Sequence, residues 1–275
     1  MQKSVTLTPT VQPRKVRWSP PLSQLLPFVI PVALVVGWQL SSSAGWLPSS
    51  VLPSPWAVFQ DGISLTQSGE LPKNLSISLY RATMGLLIGG GLGFILGFTN
   101  GMSKTCRLLF DSSIQMFRNI PHLALIPLII LWLGIGESAK ISLVAIGTLF
   151  PVYINTYNGI RSVDPDLIEM GRSYNLSNNQ LFRKIIFPAA LPQILVGIRY
   201  ALGVMWTTLI VAETISASSG IGYMATNAED FVDMQTVILC IVIYALLGKV
   251  SDLVAKGLES LLLDWQTTGR SAAND

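Results

Sequence analysis

The chain has 275 residues, of which 50% are hydrophobic and 12% charged, with a mean hydropathy of +0.53. Average soluble domains carry about 25% charged residues, so the composition points to a membrane protein. A net charge of +3 is too small to suggest a nucleic-acid partner, and the two cysteines, Cys106 and Cys240, have no metal-ligand spacing around them.

Residues 1–21 are mostly polar, with Pro and Thr among them, and are expected to form a cytoplasmic tail. The polar lead is too long for a cleaved signal peptide, and no small-residue cleavage site follows the apolar run. The apolar pattern then predicts about six membrane spans, near 25–42, 79–98, 109–133, 141–160, 189–211 and 237–255. They make a transmembrane domain over 22–265, followed by a second cytoplasmic tail, 266–275.

Between the first two spans, Trp56, Val58, Phe59 and Ile63 surround Gln60 and Asp61. This stretch reads either as an amphipathic helix along the outer membrane surface or as a helix packed on the spans. The second span carries Gly85, Gly89, Gly93, Gly97 and Gly101 at a strict spacing of four. One helix face is therefore bare backbone, suited to close helix packing or, alternatively, to a hinge. Whether the neighbour belongs to the same chain or to a second copy is open at this level.

Pro121 and Pro127 interrupt the third span, and Pro192 lies near the start of the fifth. Broken spans of this kind occur around transport paths, where neighbours or water satisfy the freed backbone groups. Arg118 and Arg199 each fall about ten residues into a predicted span, and His122 lies near Arg118. Ionisable groups there are costly and are candidate substrate-path residues, with fixed interhelical bonds or snorkelling as the alternative. For His122, a polar packing role competes with that of a ligand. No Asp or Glu lies in mid-span, so no permanent carboxylate partner is expected for the two arginines. Arg81 and Glu213 both lie near outer span ends and are placed to pair.

A polar island, 164–188, separates the fourth and fifth spans. Asp164 can cap a short helix with Pro165 at its first position. Asn175 can end that helix in the left-handed region. Ser177 offers a new cap, and Pro188 is expected to end the second piece. A bare loop needs none of this, so the island reads as a folded contact surface for another protein. Beyond the fifth span, the small residues around Gly220 and Gly222 form either a flexible outer gate or docking surface, or a plain connection.

Enzymatic motifs are missing: no nucleophile elbow and no His-rich metal spacing occur. The Gly248-Lys249 pair lacks the upstream glycine and following hydroxyl residue of a phosphate loop. Catalytic residues, a bound metal and a nucleotide site are thus not expected in this chain.

Lys and Arg placement sets the orientation. With the N-terminus inside, Lys3, Arg14, Lys15, Arg17, Lys104, Arg107, Arg161, Arg172, Arg183, Lys184, Lys256 and Arg270 are cytoplasmic. The outer segments keep Lys73 and Lys140 and collect Asp61, Glu70, Glu137, Glu229 and Asp230.

The island resembles the cytoplasmic coupling motif of binding-protein-dependent ABC importer permeases. Glu169, Ile185 and Pro188 match in register, while Met170 and Gly171 replace two alanines, Asn175 a glycine and Phe187 a leucine. The resemblance runs from about Leu52 to Trp265. It is nearest the aliphatic sulfonate branch through the segments at 131–140, 147–156 and 209–223; nitrate, bicarbonate and taurine permeases are related. It implies an all-α membrane protein of type I ABC importer permease architecture, with about six transmembrane helices and a cytoplasmic coupling helix. It implies ATPase coupling through Asp166, Glu169, Gly171, Arg172, Asn175, Arg183 and Pro188. The expected assembly is a homodimer with ABC ATPase subunits, which hold the ATP and magnesium, and a periplasmic or lipid-anchored substrate-binding protein. The expected place is the bacterial plasma (inner) membrane, multi-pass, in contact with lipid, both termini cytoplasmic. An ion-gradient-driven secondary transporter is the reading from another class; it calls for intramembrane coupling carboxylates and an inverted repeat.

Overall fold

Helices account for nearly all the regular structure of the chain, which a computed structural model describes at residues 21–46, 48 and 50–263. The tail 266–275 and all but the last residue of the tail 1–21 lie outside the described residues. Four helices among the described residues are long and apolar enough to cross a membrane, five if a sharply bent pair is counted as one span. They are α3 (Glu70–Met102), α6 (Glu137–Arg161), a column ending in α9 (Phe187–Ser216), and α11 (Met234–Leu262). The pair is α4 (Lys104–Arg118) with α5 (Ile126–Leu133). With α1 (Pro21–Ser43), whose described apolar part is Val29–Ser43, helices stand at all six expected positions.

The centre of the fold is α6, packed between α3 and α9. The glycine face of α3 answers the question of its neighbour: all five glycines are buried against α6 of the same chain. A Cβ added to Gly89 would fall on the Ala145 carbonyl oxygen, and one on Gly93 on that of Leu149; at Gly97 it would lie 2.6 Å from the Tyr153 oxygen. Backbone meets backbone along three turns, and α3 runs unbroken through them, so the glycines serve packing. Val144 of α6 joins Ala82 of α3 and Leu202, Met205, Trp206 and Leu209 of α9 in one apolar cluster where the three helices meet.

The helix α2 (Pro55–Gln67) combines both readings of its sequence. Ser54 caps it, accepting from the Ala57 N–H at 3.2 Å. Val58 is buried, Gly62 abuts Leu239 of α11, and the Thr236 hydroxyl donates to Asp61 at 2.9 Å. Trp56, Phe59 and Ile63 remain exposed.

The interruption expected in residues 109–133 takes the form of a sharp bend: α4 and the His122–Leu133 segment meet at 85°. Pro121, extended at ψ 114°, supplies no N–H and disfavours helix in the residue before it, so the chain turns there. Pro188 does not end a helix. From α8 (Asn178–Leu181), a π turn at Phe182–Ile186 leads straight into α9, giving one apolar column of 38 residues, Asn178–Ile215. In the π turn the Phe187 N–H donates to the Phe182 oxygen. The ladder is already out of α register where Pro188 lacks its donor, so the ring is absorbed.

Candidate functional site

The short helix α7 (Pro165–Ser173) lies between α6 and α8, and local chemistry fixes both of its ends. The Asp166 N–H donates to the Asp164 carboxylate at 2.9 Å. At the other end Asn175 sits at φ 55°, the Leu176 N–H donates to the Gly171 oxygen at 3.1 Å, and the Asn175 N–H to that of Arg172 at 2.9 Å. That pairing is a Schellman stop, in which Asn takes the place usual for Gly. Ser177 and Gln180 then exchange a reciprocal capping box at the start of α8.

Asp166, Glu169 and Arg172 of α7, and Arg183 of the π turn that follows α8, are exposed, beside Leu167, Met170 and Tyr174. Sequence patterning did not single out these three; their signal is apolar residues on a helix too short to need them for its own core. Gly171 faces inward. A Cβ there would stand 2.6 Å from the Leu181 and Ile185 methyl groups, so this glycine lets α7 lie flat against the base of the α8–α9 column. Pro188 is half-buried within that column.

At the opposite end of α9, a buried polar network holds the stretch expected to be a flexible outer loop. Arg81 of α3 and Glu213 of α9 are both fully buried and pair at 2.7 Å. The Arg81 guanidinium also grips Glu137 with two hydrogen bonds, 2.7 and 2.5 Å, and donates to the Ser219 carbonyl oxygen at 2.7 Å. Glu213 accepts from the Ser78 hydroxyl, the Tyr244 hydroxyl and the Gly222 N–H at 2.9, 3.1 and 2.9 Å. The Gly220 N–H donates to Asn74 at 2.8 Å, and the Ile221 N–H to Ser78 at 2.9 Å. Gly220, at φ 105°, turns the chain into α10 (Ile221–Asp230). The candidate gate glycines thus belong to a latched corner. The Arg81–Glu213 pair was legible in the sequence; Asn74, Ser78 and Tyr244 were not, because each sits unremarkably in an apolar helix.

The three candidate path residues do not converge. Arg199 has the carboxylate partners the sequence did not reveal: Asp252 at 2.5 Å and Glu259 at 3.7 Å. Asp252 in turn pairs with Lys256 at 2.9 Å. The antiparallel α11 brings residues from its own far end level with mid-α9, which a depth count along each span alone misses. His122 is half-buried, its Nε2 3.0 Å from the Thr208 hydroxyl of α9. Thr208 lies about 13 Å along α9 from Arg199, at 1.5 Å per residue. Arg118 ends α4, exposed, with no ion pair among the described residues. No group of metal-ligating side chains occurs among the described residues.

An all-helical membrane bundle with a doubly capped helix pair at one end and a polar corner latched at the other is the frame of a transport component. The chain belongs to the family of binding-protein-dependent transport system inner membrane components, matched by residues 89–263. It is 57% identical over 244 residues to the aliphatic sulfonates transport permease protein SsuC of Escherichia coli (strain K12), covering 89% of this chain and 93% of that protein. Identity to the taurine transport system permease protein TauC of the same organism is 32% over 270 residues, covering 95% of this chain and 98% of that one. The fold is that of the type I ABC importer permeases; an amino acid ABC transporter crystallised with histidines superposes with a TM-score of 0.60 at 21% identity, over 72% of this chain and 96% of its own.

Proposed function

We propose that the chain is the membrane permease subunit of an ABC importer for aliphatic sulfonates. The observation that carries this reading is the likeness to the sulfonate permease over nearly the whole of both chains. Two copies enclose the path, and a substrate-binding protein delivers the anion from outside. The nucleotide site belongs to separate ATPase subunits that hold ATP and magnesium, in keeping with the missing phosphate loop. The α7–α8 pair is the surface on which those subunits act, with Asp166, Glu169, Arg172 and Arg183 as its polar contacts. Both termini and this pair face the cytoplasm of a bacterial cell, as the Lys and Arg distribution supports. A capped helix pair can transmit a rigid displacement where a loose loop would absorb it.

Reconstitution with the ATPase and binding protein provides the test. ATP-dependent uptake of short alkanesulfonates, in preference to taurine, nitrate and bicarbonate, is the expected result. Preference for one of the latter would move the cargo within the family. Uptake by the chain alone, driven by an ion gradient, would overturn the reading.

A further inference from the structure

The helix α4 is anomalous for a membrane segment. It has no buried residue, yet its two faces differ sharply in polarity. Lys104, Arg107, Asp111, Gln115 and Arg118 fall within an arc of about 80° at 100° per residue, with Asn119 and Ser112 about 40° and 60° beyond it and the exposed Leu108 between. The opposite arc carries Leu109, Phe110, Met116 and Phe117, all exposed. A groove of about 500 Å³ runs along the polar side, lined by Arg107, Asp111, Ser112, Gln115 and Asn119, with Leu108 and Met116 at its apolar rim.

Lipid can cover the apolar arc but not the polar one, because unsatisfied charge in hydrocarbon is costly. Nor does the chain itself satisfy it. Asp111 is tied, accepting from the Gln115 amide at 2.9 Å and from the Tyr153 hydroxyl at 3.1 Å. Arg107 and Arg118 make no ion pair or side-chain hydrogen bond among the described residues, whereas Arg81 and Arg199 are both paired with carboxylates. The two free guanidiniums stand eleven residues apart on one line, about 16 Å at 1.5 Å per residue, with the Asp111 carboxylate, tied to Gln115 and Tyr153, and the uncharged Gln115 between them.

We propose that the polar face of α4 is the anion-conducting wall of the path, with Arg107 and Arg118 as its two recognition points for a sulfonate head group. The proposal rests on the permease reading above and places the wall on α4, leaving Arg199 outside it. Arg offers a planar fork for an oxyanion, and neither guanidinium is held in an ion pair, the nearby Asp111 carboxylate being tied to Gln115 and Tyr153. Ser112, Gln115 and Asn119 supply uncharged steps that bind weakly enough to release, as passage requires.

The test is cysteine labelling in the complete transporter, with ATPase and binding protein, in nanodiscs. Cys106→Ser and Cys240→Ala remove the native thiols. Ser112→Cys, Gln115→Cys and Asn119→Cys are compared with Leu109→Cys and Phe117→Cys, which lie outside the groove. Two methanethiosulfonates serve as probes, one carrying an ethylsulfonate and one an ethyltrimethylammonium group, each normalised to its rate with free cysteine.

Labelling should be confined to the first three positions. There the sulfonate reagent should be favoured on the order of tenfold, the lower range for charge focusing in a cleft, and the ratio should fall toward one in Arg107→Gln and Arg118→Gln. Equal labelling of both arcs, or a preference for the cationic reagent, would overturn the proposal. The contrast is read with both arginines in place, so it decides even if a glutamine variant fails to assemble. It also needs no assigned cargo, so it stands or falls separately from the uptake assay.

Discussion

At the scale of single residues, the energetics concentrate on Arg81 and Glu213. Burying both charges is expensive, and the surrounding hydrogen bonds from Ser78, Tyr244 and Gly222 are what make it tolerable. Removing one partner leaves the other charged and unpaired at zero exposure. Arg81→Met or Glu213→Leu alone should therefore destabilise the fold by about 3–5 kcal/mol, seen as loss of folded protein in a thermal unfolding series in detergent. The double variant Arg81→Met/Glu213→Leu should recover part of that loss, because no orphaned charge remains. Strictly additive losses would mean that the two charges do not interact. Glu137, half in solvent, is a weaker partner, and Glu137→Gln should be milder than either single change.

Among the elements, the α3–α6 contact is the one sequence spacing specified most fully. A repeat of four on an apolar helix has few uses besides a close neighbour, and the glycines face α6 throughout. Gly93→Leu pushes a side chain into the Leu149 carbonyl. Overpacking of this kind costs about 1–3 kcal/mol, and here the obstacle is backbone, which cannot rotate aside. Folded yield should drop well below that of Leu92→Ala, whose side chain is exposed. Equal tolerance of the two changes would place the glycines on lipid. The α7–α8 pair separates packing from contact in the same way. Gly171→Leu collides with Leu181 and Ile185 and should lift α7 from its seat, lowering stability as well as coupling. Glu169→Lys changes an exposed side chain and should leave the melting temperature within about 2 °C, since surface substitutions stay within ±0.5 kcal/mol. It should nevertheless weaken binding of the ATPase, measured by co-purification. Unchanged ATPase binding in Glu169→Lys would remove that residue from the contact. The caps of this pair were readable because they are local: Asp164, Asn175, Ser177 and Gln180 act within a few residues of themselves. The break at Pro121 was readable too, but not its angle, and the passage through Pro188 was not, because the same proline can turn a chain or be absorbed by a π turn, and neighbouring helices decide which. Arg199 was misjudged for a related reason, since its partners sit more than fifty residues away.

For the whole molecule, the decisive connection is the column from Asn178 to Ile215. Its 38 residues span about 57 Å at 1.5 Å per residue. One end carries the capped helices α7 and α8, and the other carries Glu213, which holds Gly222 and, through Arg81 and Ser78, the turn into α10. A displacement imposed at α7–α8 therefore has a continuous helical route to the outer corner, and the corner is stiff enough to move as a body. The weak point of the route is the π turn, where the hydrogen-bond ladder changes register. Two glycines inserted between Arg183 and Lys184 should make this joint flexible while leaving the caps of α7 and the Arg81–Glu213 latch intact. The expected phenotype is specific: ATPase subunits still co-purify, and the amides of 219–222 stay protected in hydrogen exchange, yet ATP-driven uptake is lost. Retained uptake with a flexible joint would show that the displacement reaches the outer corner by another element, with α6 the next continuous path between the two ends. Loss of protection at 219–222 would instead show that the latch depends on strain carried up the column, making the two ends one cooperative unit.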